Sequence, residues 1–181
     1  MTPPAGTTAR TAPVLETERL RLRAHRADDL DAFAAIWSDP VVTRYLGRAA
    51  SPTRQDAWMR MLRYPGLWAL LGYGFWAVEE KASGRCIGDI GFADFKREID
   101  PPLDGMLETG WVLAADAHGK GYASEGLAAA LAWSEAELPG RTAACIIEPE
   151  NAASIRVAVK AGFREWRRTV YHGDSILVFT R

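Results

Sequence analysis

The chain has 181 residues, 48% of them hydrophobic and 25% charged, the balance of one ordinary globular domain, which excludes disorder and a fibre. Lys plus Arg number 22 against 23 Asp plus Glu, a formal charge of −1. With no whole-molecule field to attract nucleic acid or an anionic membrane, any polyanion must be held by a local device.

Residues 1–13 are small, polar and proline-rich with no apolar core, so they read as a loose tail and not as a signal peptide. A single domain over 14–181 follows. Residues 14–24 alternate Leu20, Leu22 and Ala24 with Arg19, Arg21 and Arg23, the pattern of a half-buried strand. Asp28 then caps a helix to Ser38, with Leu30, Phe33, Ala34 and Trp37 at helical spacing, and Asp39-Pro40 ends it. Ser51-Pro52 opens a second helix with Trp58, Met59 and Leu62 on one side. The most apolar stretch, 67–78, is broken by Gly72 and Gly74 and is too short to span a bilayer.

Strands follow over 75–80 and 85–95 around the turn KASG, then over 106–113 after the loop DPPLDG. A long helix covers 121–138 and stops at Pro139-Gly140. The chain finishes with a strand over 141–147, a short helix from Asn151 to Ala161, and a hairpin of 163–171 and 175–180. Seven strands and four helices in this order describe a mixed α/β (α+β) domain whose largely antiparallel sheet is interrupted by two helical crossovers. Cys86 and Cys145 lie in apolar strand-like runs without a CxxC or a His pair, so no metal site is expected. Two free core thiols fit a reducing, cytoplasmic setting.

The chemistry concentrates in ETGWVLAADAHGKGYASE, 108–125. A strand ends near Leu113, and Gly119 and Gly121 lie just before a helix. Glycines let backbone N–H groups turn outward, and a helix N-terminus adds about half a positive charge. Together they form a diphosphate cradle to which Lys120 can add a charge. Neither GxGxxG nor GxxxxGK[ST] is present, which disfavours a nicotinamide or nucleoside-triphosphate site. Taken alone, the glycines are equally well a plain tight turn. Asn151 and Ser154 open the next helix, where each is either a ligand contact or a routine first-turn residue.

These residues resemble the GNAT N-acetyltransferase superfamily. HGKGYASE is similar to its R/Q-x-x-G-x-G/A acetyl-CoA loop through His118, Gly121 and Ala123. ENAASIRVAVKAGF resembles the Asn-x-x-Ser helix and Gly-Phe turn that follow it. The opening LETERLRLRAHRADDLDAF and CIGDIGF resemble the RimJ/RimL-type branch, whose best-known members acetylate N-termini of ribosomal proteins. His118 departs from the usual Arg or Gln at a position that shapes the loop more than it touches phosphate.

The resemblance implies acetyl-CoA as cosubstrate, lying in a V-shaped gap where the strand ending near Leu113 splays from the one ending near Ile147. Backbone groups of Trp111, Val112 and Leu113 would pair with pantetheine. His118, Gly119, Lys120, Gly121, Tyr122, Ala123 and Ser124 would form the pyrophosphate loop. Asn151 would anchor pantetheine, Ser154 would donate to the departing thiolate, and the Val112 N–H, left free by the splay, would be the oxyanion donor. A primary amine, either a protein N-terminus, a peptide or a small amine, would attack the thioester directly.

Glu108, on one face with Gly110 and Val112, is the candidate base, or else a salt-bridged strand carboxylate. Tyr171 is either sheet packing or an alternative proton source for the thiolate. His25 and His172 read as surface histidines. Trp58, Trp111 and Trp133 fit core positions, while Trp37, Tyr45, Trp68 and Trp76 either line an acceptor pocket or pack conventionally. Asp28, Asp29, Asp31, Asp94, Asp100 and Asp104 could place acid near the cleft. A catalytically silent acyl-CoA-binding module of the same fold is the alternative reading, and the protein is expected to be a monomer or a homodimer.

Overall fold

The computed structural model describes residues 10–46 and 52–181, which form one sheet with helices on both faces. The strands are β1 (Leu15–Glu16), β2 (Leu20–Arg23), β3 (Phe75–Glu80), β4 (Cys86–Ala93), β5 (Leu107–Leu113), β6 (Ala143–Ile147), β7 (Arg164–Tyr171) and β8 (Asp174–Thr180). Their spatial order is β1-β2-β3-β4-β5-β6-β8-β7. Every neighbouring pair is antiparallel except β5 and β6. The helices are α1 (Leu30–Ser38), α2 (Pro40–Thr43), α3 (Arg54–Leu71), α4 (Tyr122–Glu137) and α5 (Ala152–Lys160).

The sheet has eight strands, not seven, because the expected strand over 14–24 is two. The Thr17 hydroxyl accepts the Leu20 N–H at 2.9 Å and the Thr17 N–H donates to the Leu20 carbonyl at 2.9 Å, folding the chain back on itself. Among the described residues there are five α-helices, not four, because Asp39 both ends α1 and caps α2, accepting the Val41 N–H at 2.8 Å. The chain enters α1 through a 3-10 turn over Ala27–Asp29, across which the Asp29 carboxylate accepts the Arg26 N–H at 2.8 Å; Asp29, and not Asp28, stands at the N-cap position of α1, where no side chain makes a capping bond. Ser51 lies outside the described residues, and the cap of α3 is Thr53, in a reciprocal box with Asp56.

Two apolar layers result. On one face Leu22, Trp76, Ile90, Phe92 and Leu127 pack with α4 and α5. On the other, Phe33 and Trp37 of α1 and Met61 and Tyr64 of α3 pack over Phe75 and Ala93. The buried stripe of α3 is Ala57, Met61, Tyr64 and Trp68, at spacings of three and four. Met59 and Leu62, expected on the core side, are 51% and 48% exposed.

Trp68, Trp76 and Trp133 meet edge to face with centroids 4.7–5.3 Å apart, so Trp68 and Trp76 are core and not acceptor lining. Cys86 and Cys145 are buried free thiols. Residues 10–13 are tied down, since Trp76 Nε1 donates to the Pro13 carbonyl at 2.8 Å; residues 1–9 lie outside the described part. His25 is not a surface histidine. Its ring packs on Tyr64 and Phe33, both nitrogens are buried without partners, and burial pushes its pKa down to about 4. A buried network fixes the first loop: Arg23 donates to both oxygens of Asp29 and to Glu79, each at 2.7 Å.

Among the described residues no helix is long and apolar enough to cross a membrane, and no group of three or more His, Cys, Asp or Glu could hold a metal ion.

Candidate active site

β5 and β6 pair only at Leu107 with Ala143 and Glu108 with Ala144. Beyond Glu108 the two parallel strands run without paired residues to Leu113 and Ile147. A cleft of about 470 Å³ opens there, lined by Glu108, Gly110, Trp111 and Val112 of β5 and by Cys145 and Ile147 of β6. The bulky residues that would seal it are absent on the α1–α3 face, where Gly91 of β4 pairs with Gly110 of β5. A Cβ on Gly91 would meet the Gly74 carbonyl oxygen at 2.3 Å, and one on Gly110 the Phe75 ring at 3.0 Å. The floor is therefore backbone with the Phe75 ring laid on it.

Two hydrogen bonds set which backbone groups face the gap. The Leu107 N–H donates to Thr142 on the β6 side at 2.9 Å, and the Ala114 N–H to Ile87 on the β4 side at 2.8 Å. The β4–β5 register between them is unbroken, so odd-numbered residues face the gap and even-numbered ones face β4. Thr109 and Trp111 thus point their peptide groups into the opening, and Leu113 turns its own to the same side of the strand. Val112 does not: it pairs with Asp89, and its carbonyl lies 2.1 Å from where a Cβ of Gly88 would stand. The expected role of Val112 as a free N–H donor is corrected by this parity. Its side chain still lines the cleft.

The loop after β5 is held from behind. The Leu113 carbonyl lies 2.9 Å from His118 Nε2, which makes that nitrogen the protonated one. His118 thereby ties the loop to the strand end. Gly119 and Gly121 have φ of 74° and 82°, the region that favours glycine. The first helical bond of α4 runs from the Glu125 N–H to the Gly121 carbonyl at 3.1 Å, which leaves the N–H groups of Tyr122, Ala123 and Ser124 ahead of the ladder. Arg19 braces the loop by donating to the Lys120 carbonyl at 2.9 Å while pairing with Glu125 at 2.6 Å. The Tyr122 hydroxyl points away from the gap, to Glu80 at 2.7 Å. Lys120 is exposed.

On the far wall, Asn151 caps α5 by accepting the Ser154 N–H at 3.0 Å, and both residues line the cleft. Tyr171 and His172, at the β7–β8 turn, line it as well, with ring centroids 4.0 Å apart. Glu108 is 6% exposed, and burial pushes its pKa up against the pull of Arg97. Arg97 Nε donates to both carboxylate oxygens at 2.7 and 2.8 Å, and its Nη1 donates to the Tyr171 hydroxyl at 3.2 Å.

Five charged residues that sequence reasoning passed over line this cleft: Arg60, Asp89, Arg97, Glu148 and Asp174. An acidic residue inside the apolar run CIGDIGF was the available signal for Asp89. Of the expected aromatic lining, Trp37 and Tyr45 are present.

The sequence pattern of the Acetyltransferase (GNAT) domain matches residues 19–164. The chain belongs to the GNAT acetyltransferase family. Relatives in sequence include YkkB of Bacillus subtilis, an uncharacterized protein, at 29% identity over 86% of this chain and 91% of YkkB. YoaA of the same organism, an uncharacterized N-acetyltransferase, is 26% identical over 84% of each chain. Among solved structures, an acetyltransferase from Agrobacterium tumefaciens superposes with a TM-score of 0.79 at 27% identity, covering 94% of this chain and 95% of its own. RimL, a ribosomal-protein alpha-N-acetyltransferase solved with coenzyme A, has the same fold at a TM-score of 0.76 and 17% identity, over 93% of this chain and 97% of RimL.

Proposed function

We propose that this GNAT protein moves the acetyl group of acetyl-CoA to a primary amine by direct attack in a ternary complex. The observation that carries the reading is the end of β5–β6 pairing at Glu108 beside a cleft into which Trp111 turns its peptide group. A pantetheine arm, itself a chain of amides, pairs with that edge as an added strand. The pyrophosphate sits at Gly119, Lys120 and Gly121 against the N–H groups of Tyr122, Ala123 and Ser124, with His118 keeping the loop in shape. Asn151 lines the pantetheine path.

The amine nitrogen attacks the thioester carbon; a C–N bond forms, the C–S bond breaks, and proximity supplies much of the acceleration. The Trp111 N–H, on the gap-facing side, takes the oxyanion role in place of Val112. Glu108 accepts the proton lost by the nitrogen, directly or through one water. Ser154 donates to the departing thiolate, with Tyr171 the alternative donor. The acceptor is a protein N-terminus of the RimJ/RimL kind, a peptide or a small amine.

The Arg97 clamp on Glu108 is the one observation that favours a silent acyl-CoA-binding module instead. Calorimetry with acetyl-CoA, followed by release of CoA with a panel of peptides and amines read by a thiol reagent, separates the two. Binding with acceptor-dependent thiol release supports transfer. Binding without release supports the module, and no binding overturns both.

A further inference from the structure

Asp89 is 1% exposed and lines the cleft. Its Oδ2 accepts from Trp37 Nε1 at 3.2 Å; its Oδ1 has no partner at hydrogen-bond distance, although the Tyr64 hydroxyl and the Arg60 charge both act on the carboxyl. A buried carboxylate oxygen left bare is costly, and such a group persists where a ligand completes it. The surroundings match a cation. Trp37, Tyr64 and Phe75 stand around the position, Tyr64 and Phe75 stacked with centroids 4.9 Å apart, and ring faces attract alkylammonium groups. Arg60 does not fill the place, since its guanidinium lies 3.8 Å over the Trp37 ring.

The carboxylate also stands away from Glu108. Asp89 pairs with Val112 and Ala93 with Glu108; four residues of strand separate them, on the order of 13 Å between Cα atoms. The side-chain-free Gly91–Gly110 pair and the Phe75 ring lie in between.

We propose that Asp89 is a specificity residue of the acceptor pocket, its free Oδ1 binding a second, non-reacting cationic nitrogen of the acceptor while the reacting amine sits near Glu108. The acceptor class is then a primary amine that carries another positive charge on the order of 10 Å away. This rests on the acetyltransfer reading for the position of the reacting amine.

Hexamethylenediamine is the probe, with hexanol as its uncharged counterpart, measured by calorimetry on the full chain. The wild type binds the diamine, binds hexanol at least tenfold more weakly, and loses about thirtyfold or more of its diamine affinity on Asp89→Asn. A second reading needs no variant. Burial pushes the Asp89 carboxyl up to about 7 against the pull of the Arg60 charge, Trp37 and Tyr64. Of the other groups near it, Tyr64 is raised well above its ordinary value, burial pushes the Cys86 thiol up to about 12, and His25, packed on Tyr64, is pushed down to about 4, so none changes charge near neutrality. Wild-type affinity for the diamine therefore rises between pH 5.5 and 8.5, and in Asp89→Asn that rise is lost.

Absence of diamine binding, equal binding of hexanol, a flat wild-type pH series or unchanged affinity in Asp89→Asn each overturns the proposal. Acetyl-CoA binding, measured separately on both proteins, is expected to be equal. Its absence would overturn the acetyltransfer reading, whereas diamine binding decides Asp89.

Discussion

One N–H of Arg97 spans both carboxylate oxygens of Glu108, at 2.7 and 2.8 Å, across a gap of eleven residues in sequence. Burial raises the Glu108 pKa and the Arg97 charge holds it back. Removing the guanidinium therefore raises it further. In Arg97→Gln the acidic limb of kcat/KM against pH moves to higher pH. In Glu108→Gln the rate falls by on the order of a hundredfold at neutral pH and recovers toward the pKa of the amine. An acidic limb that stays in place in Arg97→Gln, and a Glu108→Gln profile of wild-type shape, would leave the pair a structural salt bridge.

Asp89 has the opposite meaning for stability. Its folded pKa, about 7, lies above its ordinary value of 3.8. The neutral form is the one the fold prefers, so its contribution is full below about pH 4 and is lost as pH rises through 7. The shift corresponds to about 4 kcal/mol. Asp89→Asn consequently melts higher than wild type at pH 8 and gains nothing at pH 4. Melting curves at the two pH values check this, and a gain equal at both would show that the titration is not the cause.

Ser154→Ala removes a hydroxyl but not the α5 cap, because the capped group is the Ser154 backbone N–H, held by Asn151. The variant folds as wild type, binds acetyl-CoA with unchanged affinity, and turns over about ten- to a hundredfold more slowly. Single-turnover rates measure this directly. Unaltered turnover would pass the role of proton donor to Tyr171.

Arg23 is a buried cation with two buried carboxylate partners, Asp29 and Glu79. Arg23→Met leaves both acids without it and lowers stability by about 3 kcal/mol. For a domain of this size the expected fall in Tm is roughly 6–12 °C. A fall under about 2 °C would show that water reaches the two carboxylates and replaces the guanidinium.

Elements whose pattern is local were legible in the sequence. β3 falls on its expected residues, and α4 begins at its glycines, because strand alternation and a positive-φ turn are written into neighbouring positions. Helix faces were harder. Met59 and Leu62 share helical spacing with truly buried neighbours, and only contact with β3 and α1 decides which side of α3 turns inward.

The site shows the same division. Glu108, Trp111, Asn151 and Ser154 do meet at one cleft. The Val112 assignment failed because strand parity is fixed by a partner thirty-five residues away, through the Leu107–Thr142 bond. Arg97 belongs to the aperiodic stretch FKREIDPP, and nothing in that run announces a meeting with Glu108. Asp89 was hidden inside an apolar strand, where its burial depends on α1, whose Trp37 lies 52 residues earlier.

The early divergence of β5 from β6 leaves a stretch of exposed edge inside the sheet. Edges recruit other strands, and proteins usually blunt them with charge or bulges. Here the Trp111 peptide group faces the cleft with no such guard, so the unliganded chain carries a built-in tendency to stick to its own kind. Occupancy of the slot removes it: the protein stored without coenzyme scatters light sooner on gentle warming than the same protein stored with it.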